Sequence, residues 1–428
     1  MTDRNMASLL SSHAFPGVNK RHRAEERFRR LGLAAIIASL SFLAFFLFSI
    51  IITGYGAFLQ TAIKIDIDLT TSALSLDESF SEDDLLSLSY RSIVRAAMRT
   101  SVSEELNRRD SRALYQLLGA AAEFELRDHL LSEPGLVGSI ISLWLTASDD
   151  VDLYSKGGRG KIPDEQTKLS DKQRQWFAMF DEEGRIKTRF NWTFLTSSDS
   201  RDPEVAGVWG AIVGSILTLT VCLVLSCFVG VLAAIYLEEF AARNWWTQFI
   251  NTNINNLAAV PSITFGLLGL AIFLSFFGLP RSASMVGGMV LALMTLPTVI
   301  ISSRAALQAV APSIREAAFG IGASHVQTVF HHVVPLALPG ILTGIIIGMA
   351  RALGETAPLL MIGMVAFIAD PPASLTQPAT VLPVQVYLWA DSPERAFAEK
   401  TAGAIIVLLA FLLMMNLLAV IIRQKVEK

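Results

Sequence analysis

The segment PSIREAAFGIGASHVQTVFHHVVP, residues 312–335, is a polar island between two long apolar runs. Apolar residues recur at helical spacing in each half of it, which predicts two short helices in succession. Gly320 and Gly322 allow a sharp corner between the helices, and Pro335 is expected to end the second. A bent helix pair on a membrane protein is a feature that a motor subunit could grip.

Two capping-box sequences support these helix starts. Ser313 stands three residues before Glu316, and Ser324 stands three residues before Gln327. In a capping box the serine and the acidic or amide side chain each bond the other residue's backbone N–H. We therefore expect one helix to begin at each serine.

The same segment resembles the EAA loop of bacterial ABC importer permeases. The resemblance rests on these residues: Glu316, Ala317, Ala318, Gly322 and Pro335. It implies that the loop sits in a cleft of a cytoplasmic ATPase and passes the motion of that ATPase to the membrane helices. His331, His332 and Val334 depart from the pattern of many relatives. The alternative is an amphipathic hairpin that lies on the membrane surface.

The charges of this chain are strongly segregated along the sequence. Of its 428 residues, 52% are hydrophobic, and the net charge of −3 gives no argument for a nucleic acid partner. A helix needs about 20 apolar residues to cross a bilayer. The apolar runs predict six transmembrane helices, at 31–63, 208–237, 254–279, 284–303, 336–368 and 401–422. The expected fold class is an all-α polytopic membrane protein with one inserted α+β extracytoplasmic domain.

The basic residues predict the orientation. The tail 1–30 contains seven Lys and Arg residues, and the end 423–428 contains three. Positive residues flanking the spans favour the cytoplasm, and six crossings place both ends on one side. We therefore expect two cytoplasmic tails in a bacterial inner membrane protein, a cytoplasmic loop 312–335 and a periplasmic segment 64–207. The first apolar run is too long for a cleavable signal peptide.

Residues 64–207 form the expected extracytoplasmic domain. This segment has 26 acidic and 18 basic residues. Alternation of apolar and acidic residues over 65–69 predicts a strand, the pattern over 85–132 is helical, and alternation over 185–195 predicts further strands. The segment therefore predicts a small α+β domain.

Other polar residues give weaker signals. The turn 156–161, KGGRGK, has the composition of a phosphate loop but not the Walker A spacing, so a flexible basic turn is favoured over a ligand loop. Cys222 and Cys227 are expected on different faces of one helix, and so are the adjacent His331 and His332. A metal site needs ligands that converge, and these residues predict none.

The fifth predicted span contains a pair of opposite charges, Arg351 and Glu355, in an otherwise uncharged stretch. An arginine at mid-membrane costs about 2.5–3.5 kcal/mol on insertion scales. The two residues are four apart and can pair on one helix face. They could be a structural ion pair, or a translocation site in which the guanidinium binds an oxyanion and Glu355 neutralises it between transport events. Thr356 is assigned to the same site.

The octet 351–358, RALGETAP, resembles the signature of the phosphate-uptake permeases of the Pst system, as does NLAAVPSI at 256–263. The resemblance covers much of 208–422, the expected permease domain, and is nearest to the PstA-type subunit. It implies three protein partners: a homologous PstC-type permease, an ATPase dimer that binds ATP and Mg, and a periplasmic phosphate-binding protein. Membrane lipid would surround the permease. It implies no cofactor in this chain, which would be a transport subunit and not an enzyme. The insert 64–207 departs from the family.

Three alternatives remain open at this point. The permease could carry another oxyanion or an organic solute. The chain could be a sensor whose exterior domain signals inward, although no long interior segment is predicted for a signalling module. A proton-coupled carrier could use Glu355 as its relay, but this leaves the helix pair at 312–335 unexplained.

Overall fold

Helix α1 (Val18–Gly54) accounts for most of a separate unit that ends at Thr53, and the rest of the chain forms a second unit. The computed structural model describes residues 18–74, 82–157, 168–365 and 367–427. The described part of the turn 156–161 is therefore Lys156 and Gly157, and its other residues lie outside the described ranges. Long apolar side chains of α1 such as Phe42 and Phe45 are exposed, as expected of a helix that faces lipid.

The predicted first span, 31–63, is too long at its C-terminal end. Helix α1 ends at Gly54, a 3₁₀ turn covers Tyr55–Phe58, and strand β1 begins at Leu59. Residues 59–63 pair with a later strand, from Leu59 opposite Phe190 to Ile63 opposite Ile186. A short apolar run cannot be assigned to strand or helix from periodicity alone, because a buried strand is apolar on both faces.

The inserted domain, defined as residues 59–207, contains a three-stranded antiparallel sheet. Its strands are β1 (Leu59–Asp68), β2 (Ile140–Thr146) and β3 (Ile186–Phe190), in the order β2-β1-β3. Its helices are α2 (Thr71–Leu74), α3 (Glu82–Ser87), α4 (Tyr90–Thr100), α5 (Arg108–Tyr115), α6 (Ala121–Ser132), α7 (Asp149–Lys156), α8 (Asp171–Glu182) and α9 (Trp192–Thr196), with a 3₁₀ turn at Pro134–Leu136. Ile65 and Ile67 of the central strand are fully buried in a core shared with the helices, so the α+β prediction is confirmed.

The strand predicted over 185–195 is shorter than expected. Strand β3 ends at Phe190, and helix α9 follows. The side chain of Asn191 accepts a hydrogen bond of 3.0 Å from the backbone N–H of Phe194. This bond satisfies a donor at the helix start and ends the strand, because an asparagine at the N-cap favours a helix over continued extension.

The remaining helices form a bundle around a second core. They are α10 (Trp209–Ile235), α11 (Trp245–Ala258), α12 (Ser262–Gly269), α13 (Ser284–Gln308), α14 (Pro312–Gly320), α15 (His325–Gln327), α16 (Val334–Leu353), α17 (Ala357–Met361), α18 (Leu382–Ala390) and α19 (Ala396–Glu427). Three π-helical segments extend them, at Tyr236–Phe240, Leu270–Phe276 and Thr328–Val333. Five helices of the described chain are long and apolar enough to span a membrane, and the count is six if one bent pair of helices is taken as a single span.

That bent pair replaces the predicted third span, 254–279. Helix α11 and the segment Ser262–Phe276 meet at an angle of 103°. The break lies at Pro261, which has no N–H for the helical ladder and disfavours helical geometry in the residue before it. The apolar run is therefore two helical pieces, and only the second lies wholly within the predicted span.

A buried charge cluster joins the inserted domain to the start of α19. The Lys156 ammonium donates a 2.9 Å hydrogen bond to Glu399 and another of the same length to the Gly56 carbonyl oxygen. The Lys400 ammonium donates a 2.8 Å bond to the Ala206 carbonyl oxygen. The side chain of Lys156 is only 15% exposed, so the expectation of a flexible solvated turn fails at this residue. Burial in an ion pair fixes the side chain.

Candidate functional site

Arg351 lies in the last turn of α16, and Glu355 lies just beyond the end of that helix. The Gly354 N–H donates to the Arg351 carbonyl oxygen at 3.1 Å, and the Glu355 N–H donates to the Ala352 carbonyl oxygen at 3.3 Å. These i to i−3 bonds tighten the last turn and satisfy carbonyls that a helix end leaves open. The predicted continuous span 336–368 is wrong, because the helix stops at Leu353 and a new one, α17, starts at Ala357.

The charge pair is looser and more exposed than the sequence suggests. Arg351 Nε lies 3.7 Å from Glu355 Oε1, and the two side chains are 46% and 22% exposed. A separation of 3.7 Å is too long for a hydrogen bond. Arg351 is also about 26 Å along α16 from Val334, at 1.5 Å per residue, so it lies near the end of the helix and not at its middle. The expectation of a buried mid-helix pair is therefore corrected.

Thr356 lies at the N-cap of α17, and its carbonyl oxygen accepts the N–H of Leu360 at 3.0 Å. Its side chain makes no capping bond. Arg351, Glu355 and Thr356 thus lie at or beside a break between two helices, which the sequence does not predict.

The break is held in place by close packing of α17 against α12. A methyl group on Gly266 would lie 2.7 Å from Pro358 Cα and 2.8 Å from Met361 Cβ. Such an approach between two helices is possible only without a side chain at this position. Glycine therefore sets the position of the chain that follows Glu355.

The segment 312–335 forms the bent helical pair that the sequence predicts. Pro312 occupies the first turn of α14, where its missing N–H costs nothing. At the other end, the Ala323 N–H donates to the Ala318 carbonyl oxygen at 3.0 Å, and the Gly322 N–H donates to the Phe319 carbonyl oxygen at 2.9 Å. With Gly322 at a φ of +89° this is a Schellman motif, so the predicted corner is confirmed.

The two predicted caps differ in outcome. Ser324 and Gln327 form a complete capping box at the start of α15. Ser313 makes no capping bond, because α14 begins one residue earlier at Pro312 with Ala311 as its N-cap. A proline that presets the first helical φ replaces the serine cap.

Pro335 does not end the second helix, and that expectation is wrong. The π-helical segment Thr328–Val333 runs directly into α16, so His325 to Leu353 forms one helical segment of 29 residues. Pro335 lies in the first turn of α16. Its lack of an N–H is tolerated where the winding changes from π to α, since such wide turns relax the hydrogen-bond ladder.

Of the other predicted coupling residues, Glu316 and Ala317 are at least partly exposed on α14, while Ala318 is buried. Gly322 is exposed at the corner. One face of α14 therefore packs on the bundle, and the opposite face is free to contact another protein.

A charged contact that sequence reasoning missed ties this loop to the end of α10. The Arg315 guanidinium donates bonds of 2.6 and 3.3 Å to the two carboxylate oxygens of Glu239. The side chain of Glu239 is only 6% exposed. The His325 ring contacts the same residue, with Nε2 2.7 Å from the Glu239 carbonyl oxygen. Both helices of the bent pair are thus attached to the π-helical segment Tyr236–Phe240.

A second missed contact lies beside the first. Arg304 Nε is 3.2 Å from Glu238, and its Nη1 donates a 2.8 Å bond to the Asn251 side chain. The signal that could have found both contacts is the pair Glu238–Glu239 at the end of an uncharged span. Arg304 and Arg315 lie between the predicted spans 284–303 and 336–368, on the side of the membrane where the span 208–237 ends, so opposite charges were available there.

Metal binding has no support in the described ranges. No group of three or more His, Cys, Asp or Glu side chains there is placed to hold an ion.

Two family models match this chain. Residues 226–428 match "Binding-protein-dependent transport system inner membrane component", and residues 16–163 match "Domain of unknown function (DUF3333)". The first match contains both Arg351 and the segment 312–335. The second joins α1 and most of the inserted domain in one family unit.

Two named relatives each match more than half of the chain. The phosphate transport system permease protein PstA 1 of Mycobacterium tuberculosis (strain CDC 1551 / Oshkosh) is 30% identical over 251 residues, which are 58% of this chain and 79% of that protein. PstA of Yersinia pestis is 32% identical over 222 residues, which are 51% of this chain and 73% of that protein.

Among solved structures, an inward-facing form of the MetNI methionine ABC transporter is 19% identical, with a TM-score of 0.41, and covers 51% of this chain and 97% of that one. The sequence matches decide the family. The chain is a multi-pass membrane transport subunit and not an enzyme, and it belongs to the PstA-type permeases of the binding-protein-dependent ABC transport systems.

Proposed function

We propose that this chain is a membrane subunit of an ATP-driven importer of inorganic phosphate, and that Arg351 contacts the phosphate during passage. The names of its relatives as phosphate transport permeases support the substrate. Glu355 and Thr356 complete the site, with Glu355 as the partner of the guanidinium between transport events.

The proposal rests on the position and the hydrogen bonding of the Arg351 side chain. It lies beside a helix break, 3.7 Å from Glu355, and donates no hydrogen bond to any residue in the described ranges. A guanidinium presents five N–H donors in a planar fork that matches phosphate geometry. Irregular backbone at membrane depth is tolerated only where it is covered by protein or lines a cavity.

The exposure of the pair supports a second permease. Arg351 is 46% exposed, and Ile347, four residues earlier on the same helix, is 58% exposed. A charge facing lipid would be costly, whereas one that faces a water-filled path between two subunits is not. A homologous PstC-type permease is the partner that fits this surface.

The segment 312–335 supports coupling to a separate ATPase. Its outward side presents apolar residues, with Ile321 81% exposed and Val326 55% exposed, next to Glu316 and Ala317. Exposed apolar groups among polar ones are typical of protein contacts. An ATPase dimer that binds ATP and Mg would grip this surface and move α10 and α16 through the Glu239 contacts.

This assignment places the loop and both tails in the cytoplasm and the inserted domain in the periplasm, where a phosphate-binding protein would deliver the ion. The basic tail residues support that orientation.

The test is phosphate uptake by an Arg351→Gln variant in cells or proteoliposomes that contain all subunits. We expect uptake to fall by about 100-fold or more, since charge-assisted hydrogen bonds are each worth roughly 1.5–3 kcal/mol. Co-purification of the ATPase and the second permease should be unchanged, because the Arg351 side chain makes no hydrogen bond within the described chain.

Arg281→Gln is the matched control, since Arg281 is an exposed arginine outside the helix break. Normal phosphate uptake by Arg351→Gln would exclude the site. The variant Arg351→Gln could instead lose uptake of a different oxyanion while it and the unaltered chain both take up phosphate normally. That result would assign the guanidinium to the other oxyanion.

A further inference from the structure

A groove in the inserted domain is walled by arginines from two helices. Its volume is about 760 Å³. One wall is α4, with Arg91, Arg95 and Arg99 four residues apart, and the other is α5, with Arg108 and Arg112 at the same spacing. Residues four apart lie on one helix face, so each helix turns a column of guanidinium groups to the groove.

The concentration of positive charge runs against the composition of the domain. Residues 64–207 contain 26 acidic and 18 basic side chains, which gives the segment a net charge of −8. Five of the basic side chains line this groove, and Glu123 is its one acidic lining residue among those described. The Arg91 guanidinium already occupies Glu123 with bonds of 2.8 and 2.9 Å. The groove therefore keeps an excess of positive charge.

Three of these arginines have no protein partner within the described ranges. The side chains of Arg99, Arg108 and Arg112 make no hydrogen bond or ion pair there, and Arg95 lies over the Tyr115 ring at 5.5 Å. Like charges at i and i+4 of a helix destabilise it by a few tenths of a kcal/mol. Nothing in the fold of α4 or α5 requires these columns of arginines. An anion that is not part of the chain would explain them.

The volume of the groove favours a small ligand over a protein partner. Its volume falls within the roughly 300–1,000 Å³ typical of small-molecule sites. Buried side chains form its floor, among them Met98 and Leu118. The column Arg91 to Arg99 is about 12 Å long at 1.5 Å per residue. One water molecule takes up about 30 Å³ of liquid volume. On this scale a single phosphate ion would fill only a small part of the volume of the groove.

We propose that the groove between α4 and α5 is a binding site for a soluble oligophosphate anion, larger than orthophosphate. Arg99, Arg108 and Arg112 supply the free bidentate donors, and the positive end of the α6 dipole borders the same space through Ala120 and Ala122. The site is separate from Arg351 and does not depend on the proposed transport function.

The test is calorimetric titration of the purified full-length chain, in detergent or nanodiscs, with tripolyphosphate, pyrophosphate, orthophosphate and a poly-glutamate peptide. We expect tripolyphosphate to bind at least tenfold tighter than orthophosphate, and to weaken severalfold between about 50 and 300 mM salt, because salt screens exposed charges. The double variant Arg99→Gln/Arg112→Gln should weaken tripolyphosphate by about 30-fold or more.

Arg109→Gln/Arg127→Gln is the matched control, since it removes the same charge from the same domain outside the groove. It should bind tripolyphosphate like the unaltered chain. The thermal midpoint without ligand checks folding, and the groove variant should keep it, since Gln is also a good helix former. The proposal would be overturned if tripolyphosphate does not bind, or if the two double variants lose affinity for it equally. Tighter binding of orthophosphate or of poly-glutamate than of tripolyphosphate would also overturn it.

Discussion

The carboxylate of Glu239 accepts two hydrogen bonds from the guanidinium of Arg315, at 2.6 and 3.3 Å, and so connects the end of α10 to helix α14. Arg315 also donates to the carbonyl oxygens of Val310 and Leu307. One side chain therefore holds together α10, α14 and the end of α13. Force applied to α14 reaches two membrane helices through this contact.

Glu239→Gln should reduce phosphate uptake per ATP hydrolysed by about tenfold while ATP hydrolysis continues. The amide keeps the shape of the side chain but removes its charge, and breaking a buried pair costs up to about 3–5 kcal/mol. Uptake and hydrolysis are measured together in proteoliposomes. Arg243→Gln is the control, because Arg243 is exposed near the same contact. A Glu239→Gln variant with an unaltered ratio would show that this contact carries no force.

Gly322→Ala should destabilise the bent helical pair by about 1–2 kcal/mol, the cost of placing an L side chain in a left-handed conformation. The φ of Gly322 is +89°, and an added methyl would meet no atom within 4 Å, so the effect comes from the backbone alone. Hydrogen exchange of the Ala323 N–H is the measurement.

Gly320→Ala provides the comparison for that experiment. An added methyl there also meets nothing within 4 Å, and Gly320 has no positive φ. It ends α14, where alanine is the better helix former. Equal exchange in the two variants would contradict the Schellman motif as the source of the corner.

Gly266→Ala should displace α17 and with it the chain beside Glu355. The added methyl would lie 2.7 Å from Pro358 Cα, a backbone atom that cannot rotate away. Overpacking of this kind costs about 1–3 kcal/mol. We expect a lower thermal midpoint and a severalfold loss of phosphate uptake.

Gly348→Ala on α16 is the matched variant, since its methyl would lie 3.5 Å from Val299 Cγ2, at ordinary contact distance. It should change the free energy of unfolding by less than about 0.5 kcal/mol. If both alanines are equally tolerated, close packing at Gly266 does not position the helix break.

Asp199→Asn should raise the thermal midpoint at neutral pH by up to about 2 °C. Burial raises the pKa of the Asp199 carboxyl, and the hydrogen bond from Trp389 acts in the opposite direction. The Trp389 Nε1–H donates to it at 2.9 Å, a bond that the asparagine oxygen can accept as well.

The sign of this effect is set by proton linkage. A carboxyl with a raised folded-state pKa contributes most stability when protonated, below its unfolded value, and loses that contribution as the pH rises through the folded value. The advantage of Asp199→Asn should therefore shrink as the pH falls from 7 towards 4. Melting curves across that range check it, and an advantage that grows at acidic pH would contradict burial as the cause of the raised pKa.

The features predicted correctly from sequence are those with local causes. The corner at Gly322 and the box at Ser324 and Gln327 depend on residues within a few positions of each other. The strand at 65–69 is visible in the sequence because alternation reports its buried side directly. Arg351 and Glu355 stand out in the sequence because a charge in an apolar run is rare, but their role as a site stays a prediction.

The errors have tertiary causes. Residues 59–63 form a strand because β3, more than 120 residues later, pairs with them, and β2 pairs with Ala62 and Ile63 as well. Pro335 does not end the helix because it lies where a π-helix changes to an α-helix. That transition depends on the preceding segment Thr328–Val333. The partners of Arg315 and Arg304 lie on another helix, which no local spacing identifies.

The unbroken helical run from His325 to Leu353 has a mechanical consequence. Arg351 follows His325 by 26 residues, so the two lie about 39 Å apart at 1.5 Å per residue. If this rod pivots near His325 by about 5°, simple leverage carries the guanidinium sideways by roughly 3 Å. Glu355 follows directly after this run and would move with it, so a pivot of a few degrees would carry the whole Arg351–Glu355 pair past any helix that stays in place.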